Sequence, residues 1–207
     1  AIKRLEEILG DDFDSTIASF SNERIVAFRV NTLKSSEEEV LSAIEDSELS
    51  IEPIAWCPLA YIIKQGTIRG LQALDIYKEG KIYIQSTSSM LAAHVLNASS
   101  EFSVLDMCSA PGSKTSLIAA IMQNQGRIIA NDRSKKRLYR LREILQQQGA
   151  TNVEVINEPA ESLGKKYADC FDRVLVDVPC SGEGRFRVEK PIRMSRWSEQ
   201  SIKTLAK

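Results

Sequence analysis

Three short stretches hold the residues that could do chemistry. The first, Asp106-Met107-Cys108-Ser109-Ala110-Pro111-Gly112-Ser113-Lys114-Thr115, combines small residues with a carboxylate, a thiol and an amine. Small side chains let the backbone approach a ligand, and a helix N-terminus behind them favours an anionic group such as a carboxylate. The GSKT ending invites a P-loop reading. That loop needs Gly directly before Lys and another five residues earlier, where Ser113 and Cys108 stand, so a nucleoside-triphosphatase is disfavoured. A plain tight turn is the bland alternative. The second stretch, Asn131-Asp132, lies twenty residues after Gly112. An acid there is placed to accept both hydroxyls of a ribose, and it could equally cap the next helix; the two uses are compatible. The third is Asp177-Val178-Pro179-Cys180-Ser181-Gly182-Glu183-Gly184, where an apolar run ends in a charge. A carboxylate there can hydrogen-bond a polar ring edge. Pro and Gly around Cys180 force the chain off a strand and expose a thiol whose pKa nearby bases would lower.

The elements that must position these stretches follow from pattern. From residue 103 the chain alternates strand and helix: SVLDMC, then KTSLIAAIMQ; GRIIAND, then SKKRLYRLREILQQQG with Leu138, Leu141 and Leu145 on one face; then VEVINE and FDRVLVDVP as strands. This is the pattern of an α/β, doubly wound parallel sheet, in which ligands sit beyond the carboxyl ends of the strands. All three stretches fall there.

Ahead of it, helices are expected over Ile2 to Leu9 and Phe13 to Phe20, a strand over Ile25 to Leu33, and a helix from Ser35 to about Asp46. Strands follow at Ile51 to Ala55 and Tyr61 to Lys64, Gly66, Gly70 and Gly80 punctuate the next stretch, and a helix capped by the Gln85 to Ser89 run reaches Leu96. The division is a small α+β domain over residues 1–80 and a Rossmann-like domain over 81–207.

Composition excludes several classes. With 207 residues, 43% hydrophobic and a net charge of −1, the chain can bury a core but is no generic nucleic-acid coat. The apolar run Ile54 to Ile63 contains Pro58 and is too short to span a membrane, and no signal-peptide core opens the chain. Cytoplasmic location and no membrane partner are expected. Cys57, Cys108, Cys170 and Cys180 form no C-x-x-C pair and no cluster with the single His94, so neither metal nor disulfides are expected; His94 reads as structural. Two basic patches stand out. Arg133 to Arg142 reads first as solvated surface; Arg185, Arg187, Lys190 and Arg193, clustered with Arg196 after the third loop, are candidates for nucleic-acid contact.

DMCSAPGSKT and VLVDVPCSGEG, together with FRVNTLK (Phe28 to Lys34) and YIQSTSSMLA (Tyr83 to Ala92), resemble the Sun (RsmB/RsmF-like) family of RNA (cytosine-5)-methyltransferases, most closely its RsmF-type ribosomal RNA branch. The resemblance runs through most of the chain. It implies a Rossmann-like methyltransferase sheet binding S-adenosylmethionine, an RNA-recognition-like α+β domain before it, and rRNA or tRNA as the partner of a monomer. It further implies that Cys108, Ser109, Ala110, Pro111, Gly112, Ser113 and Lys114 hold the cofactor and Asp132 its ribose. Asp177 would lie between cofactor and the cytosine's N3/N4 edge, with Lys114 supporting the base pocket. Cys180 matches the family cysteine that assists product release.

In the family's chemistry a cysteine thiolate adds to carbon 6 of cytosine, making carbon 5 nucleophilic toward the methyl group. That nucleophile belongs to a Thr-Cys motif on a later strand, and no Thr-Cys dipeptide occurs here. The absent initiator Met and a sheet stopping with an apolar edge favour a fragment; a non-catalytic RNA-binding or assembly module with a retained cofactor pocket is the alternative. Pro159 stands where the family places an Asp beside the adenine, leaving Glu158 or Glu161 as substitutes.

Overall fold

The computed structural model describes residues 2–19 and 25–178. Helices α1 (Ile2–Leu9) and α2 (Phe13–Ser19), joined by a 3-10 turn, form a unit apart from residues 25–178. The helix breaks between them at Gly10, whose φ is +52°.

Residues 25–178 form one compact unit with two sheets. The first is antiparallel, in the order β2 (Ser50–Pro53), β3 (Ala60–Gln65), β1 (Ala27–Val30), β4 (Ile82–Ile84). β1 pairs on both sides and all four of its residues are buried. Pro53 sits in β2 at the sheet's edge, where a missing N–H is tolerated. The strand expected to run to Leu33 ends at Val30, because Asn31 turns the chain: its Oδ1 accepts from Leu33 N (3.2 Å) and its carbonyl from Lys34 N (3.0 Å). Helix α3 (Glu37–Glu45) starts as expected, with Ser36 Oγ accepting from Glu39 N. The glycine-punctuated stretch holds two short helices that sequence patterning missed, α4 (Ile68–Ala73) and α5 (Asp75–Lys78), followed by β4 beyond residue 80. Phe28, Val40, Ile44, Leu71 and Ile82 fill the core beneath this sheet.

Ser86 caps α6 (Thr87–Val95). β5 (Ser103–Asp106), α7 (Ser113–Ile121), β6 (Arg127–Asn131), α8 (Lys135–Gln148), β7 (Val153–Ile156), α9 (Ala160–Lys166) and β8 (Arg173–Leu175) then build the parallel sheet, in the order β7-β6-β5-β8. The chain steps outward from β5 to β7, then returns to β8 on the other side of β5, so strand order reverses between β5 and β8. Among the described residues β8 is an edge strand, and Val174, Val176 and Val178 beside that edge are 46%, 55% and 59% exposed.

One core serves both sheets: Ala27 and Ala60 from the first pack with Met90, Val104, Ile118 and Ile128 of the second part. Polar side chains fasten the seam. Asn31, fully buried, donates from Nδ2 to the carbonyls of Gly80 and Gln148, both at 2.8 Å. Arg29 of β1, 2% exposed, donates to Oε1 of Gln85 and to Oγ of Ser116 on α7, both at 3.0 Å, and lies over the Tyr83 ring. No carboxylate answers this guanidinium among the described residues, and burial lowers its pKa to about 10.

Candidate active site

The loop after β5 runs from Asp106 to the start of α7. Ser109 fixes its course: both its N–H and its hydroxyl donate to the Asn131 carbonyl at the end of β6, each at 2.8 Å. Gly112 precedes α7 with φ +112°, in the left-handed region. A Cβ there would come within 2.8 Å of Leu141 Cδ1 on α8. Its smallness therefore serves helix packing as well as backbone approach. Having no side chain, Gly112 leaves the first turn of α7 without a side-chain cap, so its N–H dipoles remain directed at the loop.

Asn131, which sequence reasoning passed over in favour of its neighbour, ties three loops together. Its Nδ2 donates to the carbonyls of Met107 (3.0 Å) and Glu158 (3.1 Å), while Oδ1 accepts from Glu158 N (2.8 Å). Only a side chain carrying both donor and acceptor can do this. Asp132 follows, 3% exposed. Its Oδ1 accepts from Ser134 N (2.9 Å), and Oδ2 lies 2.8 Å from Nη1 of Arg137 as an ion pair lacking a well-angled hydrogen bond. Arg137 also donates to the Ala110 carbonyl, linking the first two loops. The cap of α8 itself is Ser134, not Asp132.

At the switch point the loops after β5 and β8 meet. Lys114 Nζ on α7 lies 2.5 Å from Asp177 Oδ2, with side chains 16% and 54% exposed. Directly below, Asp106 is 1% exposed, accepts from Thr115 Oγ1 (2.7 Å), and keeps Oδ1 without a partner. Burial drives its pKa up to about 6; the Thr115 hydrogen bond and the Lys114 charge pull the other way. Cys108 is half-buried, and burial with the Asp132 and Asp106 charges raises its pKa further. It therefore stays a thiol near neutral pH, unsuited to nucleophilic attack.

The structure thus gathers Cys108 through Lys114, Asp132 and Asp177 around one rim. Cys180, Arg185, Arg187, Lys190 and Arg193 lie outside the described residues. Pro159 opens α9, Glu158 pairs through Oε1 with Lys166 Nζ at 2.8 Å, and Glu161 is exposed in the first turn of α9. His94 sits in the last turn of α6 with its pKa lowered by burial and by Arg29.

A parallel sheet reversing between β5 and β8, with its loops converging there and an α+β domain ahead of it, defines a Rossmann-like methyltransferase fold. The chain belongs to the family described as 16S rRNA methyltransferase RsmB/F, matched over residues 93–207, and the N-terminal domain of 16S rRNA methyltransferase RsmF is matched over residues 2–87. Ribosomal RNA small subunit methyltransferase F of Serratia proteamaculans is 39% identical over 199 residues, 95% of this chain and 41% of that protein. The Photobacterium profundum protein of the same name is 35% identical over 211 residues, 99% and 44%. Among solved structures, PH0851 superposes with a TM-score of 0.80 at 29% identity, covering 99% of this chain and 48% of that one. A methyltransferase homolog protein from Pyrococcus horikoshii gives 0.79 at 26%, covering 99% and 67%. The chain spans less than half the length of these curated relatives.

Proposed function

We propose that this chain is the cofactor-binding part of an S-adenosylmethionine-dependent methyltransferase acting on carbon 5 of a cytosine in small-subunit ribosomal RNA. The observation that carries the reading is the 2.5 Å Lys114–Asp177 pair at the switch point, beside a loop whose family match is to a 16S rRNA methyltransferase. The residues present suit such a cofactor. The uncapped first turn of α7 fits a carboxylate, and the buried Asp132 carboxylate, whose Oδ2 is held only by an ion pair with the outward-reaching Arg137, fits a ribose hydroxyl. When bound, the cofactor supplies an electrophilic methyl group on sulfur.

The chain's own residues do the rest. Residues 108–113 hold the cofactor, Asp132 orients its ribose, and Lys114 fixes the Asp177 carboxylate so that one oxygen faces the N3/N4 edge of cytosine. Arg137 releases Asp132 Oδ2 to the ribose while keeping the Ala110 carbonyl. Cys180 assists release of product, Arg185, Arg187, Lys190 and Arg193 contact RNA, and the thiolate attacking carbon 6 comes from outside this chain's sequence. The deciding experiment uses the full-length protein: titration with S-adenosylmethionine, then methyl transfer to 16S rRNA read by bisulfite sequencing. Binding with a new 5-methylcytosine is expected; a protein that binds no S-adenosylmethionine, or methylates a base other than cytosine, overturns the assignment.

A further inference from the structure

Positive charge is concentrated at the start of α8 and just before it. Arg133, Lys135, Lys136, Arg137, Arg140 and Arg142 fall within ten residues of a chain whose net charge is −1, and all six are exposed. Two are answered by acids: Arg137 by Asp132 at 2.8 Å and Arg140 by Glu143 at 3.0 Å. Among the described residues no carboxylate pairs with Arg133, Lys135, Lys136 or Arg142. A solvated helix face normally interleaves both signs at i,i+4 spacing. Glu143 is the one acid in α8.

Helical periodicity orders what remains. Leu138, Leu141, Ile144 and Leu145 are buried, while on the exposed side Lys135, Tyr139, Arg142 and Gln146 fall within roughly 60° of one another, a stripe about 16 Å long, and Lys136 flanks Tyr139 about 60° further round the helix. Tyr139, in its middle, is 71% exposed. A large ring left in water between cations gains nothing from the fold. It matches the composition of single-stranded RNA surfaces, where cations take phosphates and a ring stacks on a base. An acidic protein would answer the cations but leave the ring unused.

We propose that this stripe of α8, with the flanking Lys136, grips a single-stranded segment of the RNA substrate away from the target base, with Lys135, Lys136 and Arg142 on phosphates and Tyr139 against a base. The assignment rests on the RNA methyltransferase reading above. None of the four side chains belongs to the cofactor rim, so the surface can be altered without touching it.

The test measures binding of full-length protein to in vitro transcribed 16S rRNA across a salt series. Replacing Lys135, Lys136 and Arg142 together by Ala raises Kd at least tenfold near 0.1 M salt and reduces the magnitude of the log–log salt slope by about 2, at roughly 0.7 per single-strand phosphate contact. Tyr139→Ala weakens binding with the slope unchanged, and Tyr139→Phe restores it. A control triple, Lys64→Ala with Lys78→Ala and Lys165→Ala, removes the same charge elsewhere and leaves the slope near wild type. An α8 triple with wild-type affinity and slope overturns the proposal, as does a control triple that loses as much. Unchanged rRNA binding alongside lost retention on 30S subunits assigns the face to a ribosomal protein and also overturns it. S-adenosylmethionine affinity and thermal melting stay at wild-type values in the α8 triple. A wild type that binds rRNA but no S-adenosylmethionine defeats the cofactor reading alone.

Discussion

Lys114 Nζ lies 2.5 Å from Asp177 Oδ2, which joins the first turn of α7 to the loop after β8 across the point where strand order reverses. The more exposed partner, Asp177, faces solvent over half its side chain, so the pair contributes little to stability, under about 1 kcal/mol. Its consequence is positional. Asp177→Asn in the full-length enzyme is expected to lower kcat/KM at least ~10²-fold, the lower end of what a positioned proton-handling group contributes. The melting temperature should hardly move. Retention of full activity, measured as methyl transfer to 16S rRNA, would remove Asp177 from the base edge.

Gly112 is a packing residue in a left-handed backbone conformation that glycine adopts freely and an L side chain does not. At φ +112°, with Leu141 Cδ1 2.8 Å from the Cβ that alanine would add, Gly112→Ala is expected to destabilise by about 1–3 kcal/mol. Urea denaturation reads this directly. The paired variant Gly112→Ala with Leu141→Ala should recover none of the backbone term, since strain at positive φ persists when space is made.

Arg29 is expected to couple the two sheets through hydrogen bonds, not through charge. Arg29→Met leaves Gln85 Oε1 and Ser116 Oγ without the donors they now have at 3.0 Å, which costs roughly 1–3 kcal/mol for a buried acceptor left unmet. The relief of burying a guanidinium offsets part of this. A double-mutant cycle with Gln85→Leu should show a coupling energy of at least ~0.5 kcal/mol; additive losses would mean the contact is incidental.

Asp106 gives stability a pH dependence of defined sign. Its folded pKa, about 6, stands above the ordinary value of 3.8 because burial disfavours the anion. The folded state therefore holds a proton that the unfolded state has lost, and stability falls as pH rises from about 4 to about 6. Above that window both states are ionised and the penalty is constant. Asp106→Asn should flatten this portion of the stability–pH curve; an unchanged slope in the variant would show that another group titrates there.

The sequence alone determined the alternating strand and helix order, the three loops and the family resemblance, because these depend on local pattern and on residue spacing along the chain. Ser36 and Ser86 cap their helices through bonds three residues long, and such short-range chemistry is readable in one dimension, although at α8 the cap proved to be Ser134 where the sequence offered Asp132. Even there, Asn31 ended a strand earlier than its β-branched neighbours suggested, since a side-chain acceptor competed with the sheet for Leu33 N. The tertiary structure alone decided that Arg29 and Asn31, which read as part of a strand motif, fasten one sheet to α7 and α8. It alone paired Lys114 with Asp177, made Asn131 rather than Asp132 the tie among three loops, and turned Gly112 toward Leu141. Each of these joins residues far apart in the chain through a distance of a few ångströms. Only the closing of the sheet, which sets β5 between β6 and β8, brings them within reach.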